Sequence, residues 1–161
     1  MRITIIELLT GLTFFATTTF GQSVGETNLK NFNVDEHHVG LMGYDPISYF
    51  LDAPEKGNPN WTAIHEGITY FFGSEANRNT FTLNPEKYVP AYGGWCAYAM
   101  ALKGQKVDVD PLTYKIVEGR LLLFYNKRAS NTLKLWNQLP DPEFELLNKA
   151  DVTWKKILKE H

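Results

Sequence analysis

The 161-residue chain has a single cysteine, Cys96, and that scarcity closes off more chemistry than any other feature of its composition. One sulfur cannot build an internal disulfide framework, nor a multi-thiolate zinc site within one chain. Charge of one sign is equally lacking. Sixteen Lys and Arg stand against eighteen Asp and Glu, so the chain lacks the basic excess by which a general nucleic-acid binder displaces counterions. There is no uninterrupted apolar run of about 18 residues, so no stable membrane span is expected once a leader is removed. Phosphate loops, dinucleotide fingerprints and Ser–His–Asp motifs are also missing. Aromatic residues abound instead: ten Phe, eight Tyr and four Trp are incompatible with a disordered chain. These counts describe one compact, nearly neutral domain with one sulfur nucleophile.

Residues 1–21 read as a secretory signal peptide. Arg2 supplies a minimal positive start, residues 3–20 an apolar stretch, and Thr19 and Gly21 are small enough for a cleavage site. The chain is therefore expected to be exported, to a periplasmic or extracellular compartment. Glu7 and the threonines dilute the apolar stretch, and an N-terminal helix or anchor is the competing reading. Residues 22–36 are polar and aperiodic, which predicts a linker, and residues 37–161 form the domain.

Within the domain, Val39 and Leu41 alternate as in a strand, and Asp45-Pro46 opens a short helix over 47–51. Residues 53–60 read as a surface loop. Two hairpins are expected, 61–65 with 68–72 across Glu66-Gly67, and 113–117 with 120–125 across Glu118-Gly119. Ser74 caps a helix to Leu83, with Ala76, Thr80, Phe81 and Leu83 inward. Apolar spacing predicts helices over 95–102, ended by Gly104, and over 127–139. A last helix follows Asp141-Pro142, with Phe144, Leu147, Val152, Trp154, Ile157 and Leu158 as packing residues. Interleaved hairpins and short helices define an α+β fold, and no internal repeat is visible in the sequence.

Several strings then stand together: Gly43-Tyr44-Asp45-Pro46-Ile47-Ser48-Tyr49-Phe50, Asn84-Pro85-Glu86-Lys87-Tyr88, and Tyr92-Gly93-Gly94-Trp95-Cys96-Ala97-Tyr98-Ala99. Over residues 39–158 the chain resembles YHS-domain proteins of an exported, single-cysteine branch. Its core motif covers 43–99, and the C-terminal hairpin and helices cover 113–160. The wider family is associated with metal handling, and its metal-type members carry cysteines at the positions of Ser48, Gly73 and Asn77. All three sulfurs are absent here, so that multi-cysteine site does not transfer. The resemblance also implies that some members of the branch place selenocysteine at the position of Cys96, which points to redox or soft-ligand chemistry there.

The residues themselves leave three readings open for Cys96. In the first, Gly93 and Gly94 turn the chain tightly and place Cys96 in the first turn of a helix, where free amides and the helix dipole favour a thiolate. Thiol redox chemistry would then need a partner thiol to resolve it. Tyr44, Tyr92 and Trp95 are candidates for the walls of its pocket. In the second reading, Cys96 joins Met100 and His65 to bind copper, as Cu(I), or another soft metal ion received from a metal donor. In the third, Cys96 is simply packed and the chain is a non-catalytic interaction module. Whether the protein is an enzyme stays open at this point. Asp108 and Asp110, on one side of an extended segment, could hold a hard cation, although a solvated loop is the simpler expectation.

Overall fold

The computed structural model describes residues 28–160. The expected signal peptide, the first part of the linker and His161 lie outside the described residues. The fold is α+β. Asn58–His65 (β1) and Ile68–Phe72 (β2) form the first antiparallel hairpin, followed by Glu75–Leu83 (α1), whose Ser74 cap accepts a hydrogen bond from the Asn77 amide. Next come Ala97–Lys103 (α2), then the hairpin of Asp110–Val117 (β3) and Arg120–Phe124 (β4). A two-residue ladder, Asn126–Lys127 (β5) with Ser130–Asn131 (β6), leads into Thr132–Asn137 (α3). Glu143–Lys159 (α4) closes the chain.

The core is divided by β4. Leu121 and Leu123 face one apolar cluster, with Tyr49, Tyr70, Phe72, Phe81 and Cys96. Leu122 and Phe124 face the other, with Met100, Trp136, Leu146 and Leu147. The period of two that turns alternate strand residues to opposite sides therefore buries β4 on both faces.

The structure contains a repeat that the sequence does not display. Each hairpin joins an eight-residue strand to a five-residue strand through a Glu-Gly turn with both residues at positive φ, Glu66-Gly67 and Glu118-Gly119. The register slips at the same place in both, between Asn58↔Phe72 and Thr62↔Phe71, and between Asp110↔Phe124 and Tyr114↔Leu123. A parallel bridge flanks each second strand, Val39 on Thr69 and Pro90 on Leu121. Both segments then run through three left-handed residues, Leu41-Met42-Gly43 and Tyr92-Gly93-Gly94. Asp45 and Cys96 follow at equivalent places, and their amides donate at 2.9 Å to the carbonyls of Glu55 and Val107. Two half-domains, about residues 39–83 and 90–137, are thus built on one plan.

Some elements differ from expectation for visible reasons. Residues 37–42 form isolated bridges and a turn of 3-10 helix, because Leu41 and Met42 take left-handed angles. Strand β1 begins at Asn58, inside the expected loop. α2 starts only after Cys96, whose ψ of 117° is not helical. α3 starts at Thr132, because Arg128 is left-handed and the β5–β6 ladder occupies the start of the expected helix. On α1 only Phe81 is buried, while Ala76, Thr80 and Leu83 face solvent. Residues 28–36, expected as linker, are seated on the domain: Asn33 N donates to Gly93 O, and Trp95 Nε1 donates to Asn31 O at 2.7 Å.

Candidate functional site

Cys96 has no exposed surface. Its sulfur accepts from the Tyr125 amide at 3.4 Å and lies 3.3 Å from Thr132 Oγ1. The Thr132 hydroxyl donates to the Tyr125 carbonyl at 3.0 Å, so its one proton is committed and the thiol donates to Oγ1. The sulfur caps no α2 amide. It is held instead by the backbone just after β4 and by the first residue of α3.

The first half holds a carboxylate in the same way. Asp45 is fully buried and its Oδ1 accepts from Ile47 N at 2.8 Å. Its Oδ2 accepts from Gly73 N at 2.8 Å, just after β2, and from Asn77 Nδ2 at 2.6 Å, in α1. Ser48 Oγ donates to the Asp45 carbonyl at 2.6 Å and accepts from Glu55 N. Ser48, Gly73 and Asn77 are distant in sequence and converge on one residue. They are the three positions that the sequence resemblance singled out. A Cβ added at Gly73 would meet the end of the exposed Glu55 side chain, which would have to move aside.

The other expected site residues separate. Met100 is buried in the second cluster, packed with Leu122 and Trp136, whereas Cys96 belongs to the first. His65 Nε2 lies 2.9 Å from Glu86 Oε1, and the His–carboxylate group it joins consists of Glu66 and Glu86, without Cys96. Tyr44 stacks under the Lys56 ammonium, 4.5 Å from its ring centre. The Asp108 carboxylate is taken by Lys127, Asn33 and its neighbour's amide, and Asp110 by Leu112 N, Thr113 and Asn126, so neither is free for a cation.

Tyr92, Gly93 and Gly94 lead elsewhere. A Cβ on Gly93 would meet Trp154 at 2.7 Å and Phe32 at 3.1 Å, so this glycine serves side-chain packing. Trp154 and Phe32 meet edge to face, with ring centres 5.7 Å apart. Gly94 packs beside Asn33 in the same seam. Beside them opens a cleft of about 290 Å³, walled by Tyr92, Gly93, Arg120 and Trp154 on one side and reaching Glu66 and Glu86 on the other. It lies between the two hairpin turns, at the junction of the halves, a common position for ligand sites. Arg120 grips Asp151 through two nitrogens, at 3.1 and 2.6 Å, and donates to Tyr92 Oη at 3.1 Å. Burial raises the Tyr92 phenol well above its usual range, against the pull of the Arg120 charge, so it is a neutral hydrogen-bonding group at physiological pH. Sequence reasoning missed the pairing of Arg120 with Asp151, because it joins the start of β4 to α4 across 31 positions of chain. Comparison with family models, curated proteins and solved structures finds no match to this chain.

Proposed function

We propose that the chain is an exported YHS-type module that binds a ligand in the cleft between its two hairpin turns, with Cys96 as an internal anchor of the fold. The observation that carries this reading is the enclosure of the Cys96 sulfur, with hydrogen bonds on both its accepting and its donating side. An oxidant, a disulfide or a soft metal needs a lone pair it can reach. The equivalence of Cys96 with Asp45 supports the same reading, because each half uses a buried acceptor to tie the end of its hairpin to the next helix. The convergence of Ser48, Gly73 and Asn77 supports the family resemblance. In the cleft, the half-exposed Arg120 guanidinium offers polar recognition beside the apolar face of Trp154.

Thiol chemistry is the second reading, favoured by one detail. Rotation of the Thr132 hydroxyl from the Tyr125 carbonyl to the sulfur would give a thiolate two donors. Alkylation of the folded protein decides between them. Cys96 is expected to resist iodoacetamide under native conditions and to react fully in denaturant. Labelling of the native protein at the rate of an unfolded cysteine peptide would reinstate the thiol reading and remove the anchor role.

A further inference from the structure

The end of the first hairpin brings a nitrogen ligand and two carboxylates together. His65 closes β1, Glu66 is the first residue of the turn, and Glu86 comes from the 3-10 turn Pro85–Lys87. One ligand atom from each lies within 4.8 Å of the other two. The imidazole is largely covered, with 20% of its side chain exposed, and is packed edge-on against Phe81, which fixes the ring. Both carboxylates reach water, so both can adjust by the fraction of an ångström that coordination needs. We propose that His65, Glu66 and Glu86 form a binding site for a zinc-class divalent cation at the rim of the cleft.

Charge and donor chemistry agree with the geometry. Among the described residues, neither Glu66 nor Glu86 is paired with a Lys or Arg side chain, although the other close ion pairs of the domain are lysine or arginine bridges. Their charge is felt beneath the site: after burial itself, Glu66 and Glu86 are what raise the Tyr70 phenol above its usual range. Two carboxylates and one imidazole nitrogen would bring two negative charges to a divalent ion, which neutralises them. One nitrogen and two oxygens suit zinc and neighbouring transition metals, whereas calcium and magnesium prefer all-oxygen shells. Three protein ligands leave a tetrahedral position open for water or for a donor atom of a ligand. Glu66 and Glu86 also line the cleft, so that position belongs to its edge. This site is independent of the role assigned to Cys96 and shares no ligand with it.

Zinc titration of the chelator-treated full chain by calorimetry tests the proposal. The wild type is expected to bind one zinc saturably. His65→Gln and Glu86→Gln should each weaken binding by about tenfold or more, the low end of what perturbing a metal site costs. Asp141→Asn, which removes a carboxylate paired with Lys149 and remote in sequence from the three ligands, should leave the affinity unchanged. The expected zinc-induced rise in melting temperature should vanish in His65→Gln. Absence of saturable zinc binding by the wild type, or equal binding by wild type and His65→Gln, overturns the site.

Discussion

At the residue scale, the Asp45 carboxylate has no cationic partner among the described residues, and three hydrogen-bond donors hold it inside the domain. Hydrogen bonds to a charged acceptor contribute about 1.5–3 kcal/mol each, and removing the acceptor leaves the donors stranded. Asp45→Ala should therefore lower stability by about 3 kcal/mol or more, read from urea unfolding; a loss below about 1 kcal/mol, the size of one ordinary hydrogen bond, would show that the network is not cohesive. Half of this role was legible. The Asp-Pro pair predicts a cap, and Oδ1 does bind a local amide, Ile47 N, but the helical turn is a 3-10 turn that starts only at Ser48, with Ile47 at its cap position. The other oxygen binds residues 28 and 32 positions further on, which no local pattern encodes. Cys96 shows the same limit. Its neighbours in sequence suggested a reactive helix start, while its hydrogen-bond partners come from residues 29 and 36 positions away.

At the scale of elements, Glu143 joins three of them. It sits in the first turn of α4, and its Oε1 accepts from Trp136 Nε1 of α3 at 2.8 Å and from Lys115 Nζ of β3 at 2.5 Å. Burial would raise its pKa, but these two hydrogen bonds and the Lys115 charge outweigh burial and hold it below the usual carboxylate value. A depressed folded-state pKa means that the stabilisation is present above the unfolded value, about 4.3, and is lost as pH falls through the folded one. Asp108 and Asp141 are shifted downward as well, through Lys127 and Lys149. Thermal melts should thus fall as pH drops below about 4.5. Glu143→Gln should show a shallower acid decline, and an unchanged one would detach Glu143 from acid stability. The hairpins were legible because Glu-Gly turns separate alternating runs. The buried face of α4 was legible only in part: Leu147, Trp154 and Ile157 pack as expected, whereas Leu158 does not. Leu146, Leu147 and Ala150 fill it while Phe144 and Val152 face solvent, since which apolar stripe turns inward is decided by Met100 and Trp136 across the core.

On the scale of the whole molecule, Gly93 is where the segment before the first half, the second half and α4 meet. Gly93→Ala combines a left-handed φ of 60° with a methyl 2.7 Å from Trp154. Overpacking of this kind costs about 1–3 kcal/mol, and the displaced Trp154 should also change its fluorescence emission. A variant with wild-type stability and emission would show that this junction yields freely. The duplicated plan escaped the sequence because its halves share backbone angles and hydrogen bonds with few side chains in common: Leu41 answers Tyr92, Met42 answers Gly93, and a carboxylate answers a thiol.

The placement of β4 bears on how the chain opens. A two-stranded hairpin is marginal by itself, and Leu121 to Phe124 are shared between the two apolar clusters. Loosening either half exposes one face of this strand and withdraws support from the other. The halves, though duplicated, are therefore expected to unfold as one cooperative unit, and hydrogen exchange should find the β4 amides protected until the entire domain opens.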